Sequence, residues 1–140
     1  KRFTEKIYKL FRSCFFNKSN TIFENDEDLV DILKTLCLKS PDAGYGHSYK
    51  MWLRSLNSEP YNSFGNGSAM RVSPVIWYAK SLEQAEEIAK ATAEVTHNHP
   101  EGLKGAMVVA MCVFYARKGK SKAFIKEYLS EFDCIDSSAI

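Results

Sequence analysis

Two short segments of the sequence carry the residue types that could bind a ligand. The first runs from Tyr61 to Arg71 and reads Tyr-Asn-Ser-Phe-Gly-Asn-Gly-Ser-Ala-Met-Arg. Glycine lets a backbone approach a ligand closely and adopt positive φ angles. A helix predicted to begin near Ser68 would add free amide N–H groups, which bind anions such as phosphates. The segment therefore suggests a phosphate or diphosphate site, although a tight turn without a ligand explains the same residues better.

Two common nucleotide-binding motifs are excluded for this segment. No Gly-Lys-Ser or Gly-Lys-Thr follows the glycines, as a Walker loop requires. No strand is predicted before them, as the dinucleotide-binding fingerprint requires.

The second segment runs from Thr96 to Gly102 and reads Thr-His-Asn-His-Pro-Glu-Gly. Two histidines and a carboxylate in a turn between helices suit metal binding or proton transfer. A zinc site would need further ligands, and no third histidine or cysteine lies nearby in the sequence. The alternative is a capping turn, with His99 placed before Pro100 at the start of a helix. For His99, a role as a helix cap and a role in metal binding or proton transfer are about equally well supported. His97 is the better functional candidate.

The acidic residues are better explained by helix electrostatics than by a metal site. Asp26, Glu27 and Asp28 precede an apolar helical stripe, and acids in a first helical turn complement the helix dipole. Asp133 and Asp136 are expected to be solvated. No metal ligand is therefore assigned, and the catalytic residues stay unassigned.

Apolar residues at helical spacing predict the elements that position both segments. No stretch shows the sustained alternation of a strand, so the sequence predicts an all-α fold in a single domain over residues 1–140. Ser81 with Gln84, Pro100, Gly119 and Ser121 mark helix ends. The helix after Pro100, apolar on most sides, is expected to be the buried central one. The predicted helical stripes are Phe3–Phe15, Leu29–Cys37, Tyr45–Leu56, Ala85–Val95, Leu103–Phe114 and Ile125–Phe132, and Asn57–Ser68 is an irregular loop.

Composition narrows the class of protein further. Of the 140 residues, 45% are hydrophobic and 26% charged, which argues against disorder, and the net charge of +2 is too small to indicate binding to nucleic acid or an anionic membrane. The longest apolar run, Ala106–Ala116, is shorter than the roughly 20 residues that cross a bilayer. None of the four cysteines forms a Cys-x-x-Cys pair; Cys37 and Cys112 are expected to be buried, in a reducing, cytoplasmic setting. An amphipathic pattern already runs at Lys1, which predicts further sequence upstream.

Together, the two segments resemble the ADP-ribosylglycohydrolase family, which includes the glycohydrolase that reactivates dinitrogenase reductase. Phe64–Arg71 and Thr96–Gly102 are the most specific motifs of this resemblance. The matches run in the family's order and spacing from Pro41 to about Phe132. The smaller ones are Pro41–Gly46, Trp52 with Leu53, Pro60–Ser63 and Lys104–Ala106.

The resemblance implies an all-α bundle of roughly orthogonal helices that binds ADP-ribose. It also implies an enzyme that removes ADP-ribose from a modified substrate by cleaving the glycosidic bond to ribose. Arg71 matches the family's pattern without an assigned role. The residues that the resemblance places at the substrate are Gly65, Asn66, Gly67, Ser68 and His97, and, on weaker motif identity, Met70 and Tyr45.

The sequence departs from the family at the metal ligands. The family uses two Mg²⁺ ions, held by a Thr-Asp-Asp motif upstream and an Asp-x-Asp-Thr motif downstream, and neither motif occurs in this sequence. The metals activate water and stabilise an oxocarbenium-like transition state. The resemblance therefore implies a magnesium-dependent hydrolase in the complete protein and no hydrolysis by these residues alone. The alternatives are a non-catalytic ADP-ribose-binding member and a crystallin-like structural member of the family.

Overall fold

A computed structural model describes residues 26–130 and shows only helices and connecting loops over that range. The all-α fold predicted from the sequence is confirmed there. The stripe Phe3–Phe15 and the residues Phe132, Asp133 and Asp136 lie outside the described residues. No helix within the described range is long and apolar enough to cross a membrane. The helices are α1 (Asp26–Leu38), α2 (His47–Arg54), α3 (Gly67–Ile76), α4 (Leu82–Glu94), α5 (Pro100–Arg117) and α6 (Lys122–Ser130).

The core lies where α3, α4 and α5 pack against one another. Helix α5 contacts α3, α4 and α6, so the predicted central helix is confirmed. Its buried residues Ala106, Ala110 and Phe114 recur every four positions and form one face of the helix. Alanines on α4 and α5 leave room for the helix backbones to approach closely. The fully buried core side chains include Val72 and Ile76 of α3 and Ala85, Ile88 and Ala89 of α4.

The helix ends follow the sequence closely. Helix α1 is described from Asp26 to Leu38, so the run of acidic residues that was predicted to open a helix is helical. The Ser81 Oγ accepts a hydrogen bond from the Gln84 N–H at 3.2 Å, which confirms the predicted cap of α4. The predicted capping box is not completed, because the Gln84 Oε1 accepts a hydrogen bond from the Lys80 N–H at 2.7 Å and not from the Ser81 N–H. Gly119, with a φ of 76°, ends α5 as predicted.

Three local predictions were wrong or incomplete. Leu56 is exposed because Ser55 takes an extended conformation and ends α2 before the apolar stripe reaches position 56. Cys37 and Cys112 are half-buried; Cys112 lies on the side of α5 away from Ala110 and Phe114. Helix α3 continues to Ile76 with Pro74 inside it, whereas the sequence indicated only its beginning.

Arg117, in the last turn of α5, holds the C-terminal end of α3. Its Nη1 donates to the carbonyl oxygen of Ile76 at 2.9 Å and to that of Trp77. Its Nη2 donates to the Ala79 carbonyl oxygen. These bonds satisfy carbonyls that a helix end leaves without partners, and they fix α3 against α5.

Candidate functional site

The structure brings the two segments singled out in the sequence together. Ser63 N–H donates to the Thr96 carbonyl oxygen at 3.3 Å. Asn62 N–H donates to the Asn98 Oδ1 at 2.8 Å. Asn62 has a φ of 53°, a left-handed conformation that asparagine tolerates better than most residues. The glycine-rich loop is therefore attached to the histidine turn by its backbone.

Helix α3 begins within the glycine-rich loop. The first helical hydrogen bond runs from Met70 N–H to the Asn66 carbonyl oxygen at 3.0 Å. The amides of Gly67, Ser68 and Ala69 precede that bond and have no acceptor within the helix. Three free N–H groups at a helix start form a site suited to an anion. The phosphate site suggested by the sequence would therefore lie at the start of α3.

Gly67 is required by close packing and not by its backbone angle. A Cβ atom there would lie 3.1 Å from Cε1 and 3.2 Å from Nε2 of His97. A Cβ at Gly65 would meet only the Ser63 Oγ at 3.5 Å and His97 Nε2 at 3.9 Å, which is ordinary contact. Among the described glycines, only Gly44 and Gly119 have positive φ. The positive φ expected for the glycines of this loop is therefore not found.

His97 lies buried between the glycine-rich loop and α4. Only 4% of the residue is exposed, and its Nδ1 lies 2.7 Å from the Thr96 Oγ1. Burial, and then the nearby positive charge of Arg71, lowers the pKa of His97 from 6.5 to about 4. The imidazole is therefore neutral near neutral pH. It can donate a hydrogen bond to a ligand but does not bring a positive charge.

Arg71 directs its guanidinium into the protein. Its Nε and Nη2 donate to the Thr92 carbonyl oxygen at 3.1 Å and 2.7 Å. Its Nη2 also donates to the Thr96 Oγ1 at 2.6 Å. Burial lowers the pKa of Arg71 from its usual value. Arg71, which matches the family's motif, therefore bonds to the end of α4 and to Thr96, and its hydrogen bonds are made within the protein.

His99 is a capping residue. Its Nδ1 accepts a hydrogen bond from Glu101 N–H at 3.2 Å at the start of α5, with Pro100 as the first helical residue. The capping alternative left open by the sequence is therefore confirmed for His99. The His99 ring also lies 5.5 Å from the ring of Phe64, which is 75% exposed beside the glycine-rich loop.

The remaining candidate residues differ in how close they lie to this region. Asn66 is exposed at the start of α3, and Met70 is exposed one turn later. Ser68 is buried, and its hydroxyl donates to the Gly102 carbonyl oxygen at 2.9 Å, so this side chain bonds within the protein. Tyr45 is linked to His97 through a series of ring contacts. That series runs from Tyr45 through Tyr49, Trp52 and Tyr61 to His97.

Gly102 is the main residue that sequence reasoning did not assign. A Cβ at Gly102 would lie 2.6 Å from the Ser63 carbonyl oxygen and 3.0 Å from the Cβ of His97. Gly102 therefore lets the first turn of α5 contact both segments of the site. A glycine inside a helix normally costs stability, so its position in the first turn of α5 was a sequence clue to a close approach. Thr96 was also not assigned, because its role depends on two partners in space.

The described residues do not provide a metal site. No group of three or more histidine, cysteine, aspartate or glutamate side chains within residues 26–130 could hold a metal ion. The two Mg²⁺ ions of the resembled family therefore do not fit this part of the chain.

Comparison with known proteins identifies the class. The family model of ADP-ribosylglycohydrolase matches residues 11–137, and the chain belongs to this family. The ADP-ribosylhydrolase ARH3 of Homo sapiens is 30% identical over an aligned length of 117 residues, and the alignment covers 72% of this chain and 32% of the human protein. The Gallus gallus ADP-ribosylhydrolase ARH3 is 30% identical over an aligned length of 129 residues, and the alignment covers 79% of this chain and 35% of that protein. The chain spans about a third of the length of these curated relatives.

The low pKa of His97 predicts a pH dependence of stability. The imidazole titrates near 6.5 when unfolded and at about 4 when folded, so the unfolded state binds more protons between these values. We expect the free energy of unfolding to fall as the pH is lowered through this window. His97→Asn should reduce the fall, because asparagine does not titrate and still offers an oxygen to Thr96. Urea denaturation of the wild type and of His97→Asn at about pH 7 and about pH 5 measures the two falls in stability. His47→Asn, which replaces an exposed histidine, is the control. An unchanged pH dependence in His97→Asn would show that His97 is not the titrating group.

Proposed function

We propose that this chain binds ADP-ribose between the Gly65–Ser68 loop and His97. In the complete protein, this site serves a hydrolase that removes ADP-ribose from an ADP-ribosylated substrate. One observation carries the proposal: the free amides at the start of α3 lie next to the imidazole of His97. Membership of the ADP-ribosylglycohydrolase family supports this choice of ligand.

The chemistry of ADP-ribose matches the groups available. Its diphosphate is an anion that accepts hydrogen bonds from the amides of Gly67, Ser68 and Ala69. The neutral imidazole of His97 adds a donor without requiring a buried charge of its own. The exposed side chains of Phe64 and Met70 offer apolar surface beside the loop for the adenine ring. Asn66 offers an exposed amide for a ribose or phosphate oxygen.

Hydrolysis is proposed only for the complete protein and is magnesium-dependent there. When bound, magnesium would activate water and stabilise the charge that develops on ribose. Residues 26–130 bind and orient the ligand, and none of them is proposed as catalytic. We also propose that the protein works in a reducing, cytoplasmic setting, since its cysteines show no pairing motif.

The proposal is tested by titration calorimetry of the complete protein with ADP-ribose, with and without Mg²⁺. ADP and ribose 5-phosphate serve as partial ligands, and each should bind more weakly than ADP-ribose. A second assay follows the release of ADP-ribose from ADP-ribosylated protein. Binding with magnesium-dependent release supports the hydrolase, and binding without release supports a non-catalytic binding member. Absence of binding would overturn the proposal and favour a structural role.

A further inference from the structure

The hydrogen bonds around Thr96 determine which ring nitrogen of His97 carries the proton. The Thr96 Oγ1 lies 2.6 Å from the Arg71 Nη2 and 2.7 Å from the His97 Nδ1. A guanidinium has only donors, so the Thr96 oxygen must accept from Arg71. The threonine hydroxyl has a single proton, and the His97 Nδ1 is the acceptor within reach. The hydroxyl therefore donates to Nδ1, and Nδ1 carries no proton.

The opposite arrangement leaves a buried proton without an acceptor. If Nδ1 carried the proton, the Thr96 oxygen would accept from both Arg71 and His97. Its own hydroxyl proton would then have no partner, although Thr96 is fully buried. An unsatisfied buried donor costs about 1–3 kcal/mol.

The other ring nitrogen faces the glycine-rich loop. His97 Nε2 lies 3.2 Å from the position of a Cβ at Gly67 and 3.9 Å from that at Gly65. None of the hydrogen bonds within residues 26–130 involves Nε2. Every fully buried side-chain nitrogen or oxygen in this range has a hydrogen-bond partner. Because Nε2 has no partner, it is not fully buried and remains in contact with solvent. The N–H at Nε2 is thus a free donor beside the start of α3.

We propose that Thr96 and Arg71 are positioning residues, which hold the neutral imidazole of His97 as the Nε2–H tautomer so that this N–H donates to an oxygen of the bound ligand. The proposal rests on the proposed function, because it takes the ligand at the start of α3 to be ADP-ribose. It adds to that function a chain of hydrogen bonds that runs from Arg71 through Thr96 to His97. Arg71 orients the Thr96 oxygen, Thr96 sets the tautomer of His97, and only His97 contacts the ligand.

The test compares two threonine substitutions in the complete protein. Thr96→Val keeps the shape of the side chain and removes the hydroxyl, whereas Thr96→Ser keeps the hydroxyl. The matched control is Thr92→Val, because Thr92 is also fully buried and its hydroxyl donates to the Ile88 carbonyl, away from His97. Long-range ¹H–¹⁵N correlation spectra of the histidine rings report the tautomer directly, and His97→Asn assigns the His97 resonances.

We expect wild type, Thr96→Ser and Thr92→Val to show a protonated Nε2 and an unprotonated Nδ1 for His97. Thr96→Val should show a mixture of tautomers. Its affinity for ADP-ribose, measured by calorimetry, should fall about threefold to tenfold, which corresponds to the loss of one neutral hydrogen bond. Thr96→Ser should restore most of the affinity. A role of Thr96 in folding alone would not move the ring resonances in this way.

Two outcomes would overturn the proposal. An unchanged His97 tautomer in Thr96→Val would remove the positioning role. A changed tautomer with unchanged affinity for ADP-ribose would show that the Nε2–H is not a ligand donor. If the wild type does not bind ADP-ribose, the proposed function fails and the ligand part of this proposal fails with it. The ring spectra would still decide whether Thr96 sets the tautomer, because they need no ligand.

Discussion

Replacing Gly102 by alanine is expected to lower the free energy of unfolding by about 3 kcal/mol, near the upper end of what overpacking costs. The added methyl group would lie 2.6 Å from the Ser63 carbonyl oxygen and 3.3 Å from that of His97. Backbone atoms cannot rotate away, so α5 must shift from the glycine-rich loop. Affinity for ADP-ribose should fall as well, because Ser63 and His97 both belong to the site. Urea denaturation and calorimetry measure the two effects.

Gly105 provides the control on the same helix. A Cβ at Gly105 meets no atom within 4 Å. Alanine is favoured over glycine inside a helix by up to about 1 kcal/mol, so Gly105→Ala should leave stability unchanged or raise it. The two substitutions differ only in their surroundings. Equal effects on unfolding would show that the close contact at Gly102 does not matter.

The second large effect is expected at Gly67. Gly67→Val should weaken ADP-ribose binding about tenfold to a hundredfold, which is roughly 1.4–2.8 kcal/mol. Its Cβ would lie 3.1 Å from the ring of His97 and would displace the imidazole. Its methyl groups would also stand between the ligand and the free amides of α3. Calorimetry gives the affinity, and thermal melting gives the stability of the same samples.

Gly65→Ala is the comparison for this experiment. Its Cβ would make ordinary contacts and would leave His97 in place, so its effect on affinity should be smaller. If Gly67→Val keeps its affinity, the loop is a turn without a ligand. If Gly67→Val does not fold, the glycine has a packing role and the site assignment depends on His97 alone. In that case His97→Asn, which keeps an acceptor for Thr96, tests ligand binding instead.

The fold could be predicted where local sequence determines it. Helices α4 and α6 have apolar residues at helical spacing, α5 is apolar on most sides, and recognisable caps such as Ser81 and Gly119 mark their ends, so these helices were placed correctly. The extent of α3 was not predicted, because Gly67 and Pro74 both weaken a helical pattern that packing against α4 and α5 restores. Leu56 was placed in a stripe because periodicity does not show where a helix ends.

The site could be predicted only in part, for a related reason. Gly67 and His97 stand in short motifs whose residue types indicate ligand binding, and the structure places these two residues side by side. The roles of Gly102, Thr96 and Arg71 depend on distances between segments that are about 25 to 40 residues apart. Those distances follow from the packing of α3, α4 and α5. For the same reason, the sequence could not show that Tyr45 lies several rings away from His97.

The position of Arg71 has a consequence for the electric field at the site. Helix α4 ends close to where α3 begins, and a helix C-terminus carries about half a negative elementary charge. That end would repel a diphosphate at the start of α3. The Arg71 guanidinium bonds to the carbonyl oxygens of Thr92 and Ala93 in the last turn of α4 and offsets this charge. An approaching anion therefore meets the positive start of α3 without an opposing negative helix end beside it.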